Sequence, residues 1–476
     1  MENNFVPQDV LVMKFGGTSV GTVQSMKSTI QNIKRCKAER PNLVVVTSAI
    51  SGATNALIKS ATDAAAGNLT TAEKTTRELT APHHEMIDKL VNDPNQWLQL
   101  KMDINRMLTD FSNFCNAIKI LGELSPRALD IVSSLGERMA IRVLAAGVSS
   151  AGVPAKAVEA SELILTDDVF QSASPDMVRT AEKCKKHLYP LLEQGVVPIV
   201  TGFMGATEDG IITTLGRGGS DYSAAIIGVG LGATDVWIWT DVTGVMSADP
   251  RIIKDAHTIP YLTFSEISEM AFYGAKVLHP KSVKPCVDND IRMRICNTFY
   301  PDKMGTILVK DSEARDIGKI KAVTSASGFK LVQVAGAGMD SGMAVSAKIL
   351  SSLVDQGINV PMVIESSSEQ AICFPVELKK IDKVKKTLTS VLEKEIQHED
   401  IDLITVSDQV DILTVICSGL KSHPEVIAQT LNGMVEKKFD IKAMSFGPSD
   451  VSLNLIVNSA DTNAALNTIH QLIHND

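Results

Sequence analysis

The stretch Leu11-Val12-Met13-Lys14-Phe15-Gly16-Gly17-Thr18-Ser19 begins as an apolar run and breaks into two glycines just before a helical pattern. Glycines at a strand-to-helix corner let backbone N–H groups approach a phosphate, the helix start adds partial positive charge, and Lys14 brings a full one. The same corner also reads as a purely structural turn. No G-x-x-x-x-G-K-[ST] occurs in the chain, so it is not a P-loop. Working outward, Leu43–Ser48, Val197–Gly202 and Val236–Thr240 are further short runs rich in Val and Ile, most of them running out into Gly, Ser or Thr. Near-continuous apolarity predicts strands covered on both faces by helices, which is an α/β arrangement. From about Thr71 to Ile131 the pattern turns polar and helix-periodic, predicting a helical excursion beside the sheet.

At 476 residues the chain is too long for one ordinary domain. Its 44% hydrophobic and 21% charged residues are those of a globular protein, and the net charge of -9 with no long basic run excludes broad nucleic-acid binding. The polar, acidic start Met1–Asp9 lacks the order of a signal peptide, and no apolar segment approaches the ~20 residues that span a bilayer. A cytoplasmic protein without membrane partners is expected. Seven scattered cysteines without C-x-x-C spacing predict buried free thiols, and neither a disulfide nor a zinc site.

Past a polar connector at Asp311–Ile317 the pattern changes. It predicts a strand at Phe329–Ala335, a helix at Met343–Gln356, strands near Asn359–Ile364 and Ala371–Val376, and a helix around Lys380–Lys394. A second round follows: strand Asp411–Cys417, helix Pro424–Lys437, strands Asp440–Phe446 and Val451–Val457, and helix Thr462–Ile473. A repeat of this length fits two small ferredoxin-like units that pack on each other.

Three further segments carry groups suited to chemistry. Thr214-Leu215-Gly216-Arg217-Gly218-Gly219-Ser220-Asp221 opens an apolar helix and sets a planar guanidinium, suited to a carboxylate, between glycines. Ser220 or Asp221 would also serve as an ordinary helix cap. Thr240-Asp241, followed by Asp249-Pro250-Arg251, puts polar groups at the carboxyl edge of the predicted sheet, where such sheets bind ligands; a ligand-free polar turn fits as well. Gly274-Ala275-Lys276-Val277-Leu278-His279-Pro280 taken alone reads as a solvated helix end. Two decoys are set aside. Gly336-Ala337-Gly338 lacks the third glycine of a dinucleotide loop. His83-His84-Glu85 with Asp88 reads as a solvated helix face, not a metal site.

In order along the chain, K-F-G-G-T-S-V, S-x-G-E-R, T-L-G-R-G-G-S-D-Y-S-A, W-T-D-V-x-G-V and G-A-K-V-L-H-P closely resemble the aspartate kinases, members of the amino-acid-kinase fold. The resemblance runs from Val12 to about Ile307, and the two C-terminal repeats resemble paired ACT domains. It implies an α/β/α sandwich over residues 1–310, followed by ACT domains over 311–395 and 396–476 whose strands can interleave. It implies transfer of the γ-phosphoryl group of ATP to the β-carboxylate of L-aspartate, giving 4-phospho-L-aspartate at the start of lysine, threonine and methionine synthesis. Mg²⁺ would be carried with the nucleotide, since the sequence shows no all-protein metal cage.

Carried over residue by residue, the resemblance sets Lys14, Gly16 and Gly17 against the ATP phosphates. It places Ser48 and Thr54 along the aspartate site. Glu137 meets the substrate ammonium group, Arg217 clamps a substrate carboxylate, Ser220 lies nearby, and Asp221 holds the lysine in register. Thr240, Asp241, Arg251, Lys276 and Val277 match nucleotide contacts. Met246 stands where many relatives have a tyrosine and is taken as a packing residue. An amino-acid effector would bind the first repeat through Gly338, Met339, Asp340, Met343, Asn359, Val360 and Ser366. Pro361 departs from the family there, and the second repeat lacks the Gly-rich turn. A homodimer or higher homo-oligomer is expected. The ACT-like repeats speak against a kinase of another carboxylate, the retained Lys14, Arg217 and Asp221 against a silent regulator, and the length against a fused homoserine dehydrogenase.

Overall fold

In the computed structural model, which describes residues 6–275, 278–336, 342–366 and 371–474, the opening stretch becomes strand β1 (Leu11–Phe15), buried at every position. The strands that follow are β2 (Leu43–Thr47), β3 (Ala155–Val158), β4 (Val197–Thr201), β5 (Met204–Ala206), β6 (Ile212–Thr214), β7 (Asp235–Thr240), β8 (Tyr261–Thr263), β9 (Arg292–Asn297) and β10 (Thr306–Val309). Eight of them form one sheet in the order β3-β4-β2-β1-β7-β9-β10-β8, and β5 and β6 pair separately. β1 lies parallel between β2 and β7, with Lys14 opposite Val46 on one side and Ile238 on the other. β9 and β10 form the antiparallel pair, so the sheet is mixed, as expected for a strand set covered on both faces.

The helical excursion is built from Thr70–Leu90, Pro94–Leu121 and Pro126–Ser150. Asp93 and Ser125 cap the second and third, each directly before a proline, the pairing that favours a helix start. Their apolar faces share one core with β1: Leu79, Met86, Ile104, Phe111 and Leu144 pack in the cluster that holds Leu11, Met13 and Phe15. The expected solvated face at His83 is corrected here, because that side chain is fully buried. Its Nδ1 donates to the Leu79 carbonyl at 2.6 Å, and Nε2 has no partner among the described residues.

The fold divides into two compact units. The first takes Met1–Val245, Thr258–Phe264 and Leu278–Glu313; the second takes Met246–His257, Ser265–Val277 and Ala314–Asp476. The second holds β11 (Ala322–Ala335), β12 (Ile364–Ser366), β13 (Ala371–Glu377), β14 (Leu403–Ile416), β15 (Ile441–Phe446) and β16 (Ser452–Asn458). These form one antiparallel sheet in the order β12-β13-β11-β14-β16-β15. The α/β fold and the two ferredoxin-like repeats are as the sequence predicts, except that the strand expected near Asn359–Ile364 forms instead as β12 at Ile364–Ser366. β11 and β14 are twice their expected length, and they join the repeats by pairing along both halves. No disulfide joins the cysteines among the described residues, and all are buried except the half-buried Cys373. Among the described residues no helix is long and apolar enough to cross a membrane.

Burial lowers the pKa of His83 to about 4. The unfolded chain takes up that proton near its ordinary value of about 6.5, the folded one only near about 4. The stabilisation is therefore complete above about pH 6.5 and is lost as pH falls, by about 1.4 kcal/mol per unit. Urea unfolding of wild type and His83→Leu across that range checks this: the gap in stability between them should narrow as the solution is acidified. A gap independent of pH would show that His83 titrates normally.

Candidate active site

One cavity of about 580 Å³ opens at the carboxyl ends of β1, β2, β4 and β6. Lys14, Gly17, Ser48, Thr54, Glu137, Arg217, Ser220 and Asp221, distant in sequence, all line it. Chain direction explains the convergence, because parallel strands deliver their following loops to one edge. Gly16 and Thr240 sit at that edge on neighbouring strands, joined by the Gly16 N–H bond to the Trp239 carbonyl at 3.2 Å. Asp241 is exposed beside Thr240.

Lys14 is buried in a central strand, where a bare ammonium is costly. Its Nζ meets the Asp221 carboxylate at 2.6 Å. Asp221 stands in the first turn of the helix Gly219–Leu231, whose N-cap Gly218 has φ +71° and no capping side chain. That left-handed conformation suits glycine, and a Cβ there would also lie 2.9 Å from the His279 side chain. Gly17 is required by space: a Cβ would come within 2.8 Å of the Ala49 carbonyl oxygen. Ser19 of the same motif points elsewhere and is a structural residue, fully buried and bonded to Thr298 Oγ1 at 2.7 Å.

Glu137 lies on the buried helix Pro126–Ser150. Burial pushes its pKa up to about 8, against the opposing pull of backbone N–H groups and of Lys14. Its Oε2 has no partner among the described residues. Arg217, by contrast, is exposed and makes no ion pair with a described residue. The cavity thus presents an unpartnered carboxyl oxygen and an open guanidinium, with a lysine–aspartate pair between the first strand and a helix start.

Sequence reading missed Asp130, Ser133, Gln171 and Phe203, which also line the cavity. The signal was present for two of them. Asp130, Ser133, Ser134 and Glu137 form a polar stripe at helical spacing on an otherwise apolar helix, and all four are buried. Buried polar groups need partners, so such a stripe marks a site or a network. His279 was likewise missed: it packs near Gly218, and Ser282 Oγ donates to the Gly218 carbonyl at 3.2 Å. Arg251 belongs to the second unit, where it is exposed and paired with Asp249. Lys276 and Val277 lie outside the described residues.

Of the effector positions, Gly338, Met339, Asp340 and the Ser366 side chain lie outside the described residues. Met343 is exposed in the first turn of the helix Gly342–Asp355. Asn359 is exposed, and Val360 packs on the core of the first repeat. Ser346 on the helix donates to Glu365 of β12 at 2.8 Å, tying the two segments together.

The amino acid kinase family model matches residues 9–297, and an ACT domain model matches residues 332–392. The chloroplastic aspartokinase 1 of Arabidopsis thaliana is 31% identical over 474 residues, covering 97% of this chain and 79% of that protein. This chain spans 56% of the bifunctional aspartokinase/homoserine dehydrogenase of Haemophilus influenzae, at 27% identity. Among solved structures, E. coli aspartokinase III in complex with aspartate and ADP (R-state) superposes with a TM-score of 0.80 at 26% identity, covering 98% of this chain and 100% of that one. The same enzyme in complex with lysine and aspartate (T-state) gives 0.76.

The Lys14–Asp221 pair makes a stability prediction independent of any ligand. Lys14→Met removes the cation and leaves a largely buried carboxylate, which should cost about 3 kcal/mol or somewhat less, given its residual exposure. Adding Asp221→Asn should recover much of that loss. Denaturant unfolding of both single variants and the double variant measures the coupling; additive losses would mean that the pair contributes nothing.

Proposed function

The chain belongs to the aspartokinases of the amino acid kinase family, and from that premise we propose that this cavity phosphorylates the side-chain carboxylate of L-aspartate with ATP. One observation carries the reading: the cavity holds an unpartnered buried carboxyl oxygen on Glu137 and the unpaired cation Arg217 beside the Lys14–Asp221 pair. An amino acid brings an ammonium group for the first and a carboxylate for the second. The similar E. coli enzyme with aspartate and ADP supports both ligand classes.

The nucleophile is a carboxylate already ionised at neutral pH, so the reaction needs no general base. A β-carboxylate oxygen attacks the γ-phosphorus, the bond to the bridging oxygen breaks, and ADP leaves with the electron pair. The obstacle is the approach of two anions, and positioned cations lower it. Lys14 stabilises the phosphoryl group in flight, held in register by Asp221, while Gly16 and Gly17 bring N–H groups close to the phosphates. Arg217 takes a substrate carboxylate with its planar fork, and Ser48, Thr54 and Ser220 line the remaining wall. Thr240, Asp241, Arg251, Lys276 and Val277 are assigned to the nucleotide. Mg²⁺ carried on the nucleotide would neutralise phosphate charge, and the exposed oxygens of Asp241 fit such a hard cation.

In the regulatory repeats we assign an amino-acid effector to Gly338, Met339, Asp340, Met343, Asn359, Val360 and Ser366. The structural likeness to the E. coli enzyme in complex with lysine supports an amino acid as the ligand class. A cytoplasmic homo-oligomer, with boundaries near 310 and 395 between the catalytic domain and two ACT domains, completes the proposal.

The direct test is ADP formation from MgATP with and without aspartate. Arg217→Lys keeps the charge and loses the fork, so the aspartate KM should rise at least about tenfold while the ATP KM moves little. No aspartate-dependent turnover by the wild type would refute the function; an ATP KM rising alone would move Arg217 to the phosphates.

Glu137 adds a pH signature. It must be ionised to pair with the substrate ammonium group, yet burial holds its pKa at about 8 in the free enzyme. The aspartate KM should therefore fall as pH rises toward about 8, by up to about tenfold per unit, and then level off. Glu137→Gln should bind aspartate poorly and remove the slope. A wild-type KM flat between about pH 6 and 8 would contradict the assignment.

A further inference from the structure

Asp130 has no part in the chemistry just described, yet it is fully buried and lines the same cavity. It sits seven residues before Glu137 on the helix Pro126–Ser150, two turns away on the same face. Its Oδ1 accepts from the Thr214 hydroxyl at 2.7 Å and its Oδ2 from the Thr214 N–H at 2.9 Å. The Gln171 N–H reaches both oxygens, at 3.1 and 3.0 Å. The two backbone N–H groups donate to it, and the Thr214 hydroxyl donates as well when the carboxylate is ionised. Burial raises the pKa of this carboxyl, and these same bonds oppose the rise.

The groups it holds are not incidental. Thr214 ends β6 and runs directly into Leu215–Asp221, with Arg217 three residues on. Gln171 also lines the cavity, with φ +69°, a left-handed conformation costly for a residue with a side chain. The two segments pack without slack: a Cβ at Gly216 would lie 2.9 Å from the Gln171 carbonyl oxygen.

We propose that Asp130 is a positioning residue that fixes the Arg217 segment and Gln171 relative to Glu137. A carboxylate on the Glu137 helix grips the root of the Arg217 segment, so the groups that receive the two ends of the amino acid keep a set separation. Without it the backbone from Thr214 onward loses two anchors, and Gln171 loses the bond that offsets its strain. The inference rests on the reading of this cavity as the aspartate site. It assigns Asp130 to substrate geometry and not to phosphoryl chemistry.

Asp130→Asn is isosteric but offers one acceptor oxygen and turns an NH₂ toward N–H donors. The aspartate KM should rise about tenfold to a hundredfold with the ATP KM within about twofold of wild type, because a small misplacement of a substrate clamp costs that much. Thr214→Val removes only the hydroxyl donor and should shift the aspartate KM in the same direction by less. The double variant should be no worse than Asp130→Asn alone, as expected of one shared network. A lower Tm with an unchanged aspartate KM, or equal rises in both KM values, overturns the proposal in favour of a structural role. Should Asp130→Asn fail to fold, an unchanged aspartate KM in Thr214→Val overturns it equally. Wild-type turnover of aspartate in the same assay tests the parent reading, so its failure is distinct from a failure of the variant-to-wild-type ratio.

Discussion

A lysine in the middle of a buried parallel strand is the constraint around which the first unit is arranged. Lys14 lies in β1 between β2 and β7, where little water reaches its ammonium. It needs an anion, and Asp221 supplies one at 2.6 Å from the first turn of a helix more than two hundred residues away. That pair fixes the helix Gly219–Leu231 against the sheet edge and sets the origin of the loop that carries Arg217. The glycines around it follow from the same geometry. Gly17 must clear the Ala49 carbonyl, and Gly218 must turn through a left-handed conformation to bring Asp221 inward.

The legible parts of the sequence were those governed by local pattern. Leu11–Phe15 and Leu43–Thr47 are apolar without interruption because they are covered on both faces, and that alone marks them as sheet interior. The motifs around Lys14 and Arg217 stood out because each sets a charge beside glycines, and the structure brings both to one cavity. The long strands β11 and β14 were read at half length. Their remaining halves contain Ser325, Gly328, Ser407 and Asp408, which carry no strand signal of their own. They become strand because each pairs with the other repeat, Val323 opposite Val415 and Gln333 opposite Thr405. Such pairing is tertiary, and no local window contains it. His83 and Asp130 escaped for a related reason: a polar residue on a helix reads as solvent-facing until its neighbours in space are known.

The division into units does not follow the chain's order. Residues 246–257 and 265–277 lie within the stretch matched by the amino acid kinase family, yet they pack in the unit built from the repeats. Their attachments there are polar and buried. Ser247 bonds the His470 ring at 2.9 Å and accepts the Val323 N–H at its carbonyl at 2.8 Å. Glu266 is fully buried, paired with Lys321 at 2.8 Å and bonded by Ser418 at 2.6 Å. Removing one partner from a buried charged pair is strongly destabilising, so these attachments hold the two segments in the second unit. The backbone then continues from the second segment into Leu278–Ser282, where Ser282 holds the carbonyl of Gly218.

A chain with a net charge of -9 must still admit anionic substrates, and the carboxylates of the cavity explain how. Asp221 is neutralised by Lys14. Asp130 spends its charge on donors from Thr214 and Gln171. Glu137 is left without a described partner for Oε2, and burial holds it largely protonated at neutral pH. The only uncompensated charge among these side chains is then the guanidinium of Arg217, so an approaching carboxylate meets a cation and no net repulsion. Had Glu137 been solvated, its charge would offset Arg217 before the substrate arrived. Burial of the Glu137 helix thus raises the pKa of that carboxyl and lowers the negative charge facing Arg217 in the cavity, with no further device.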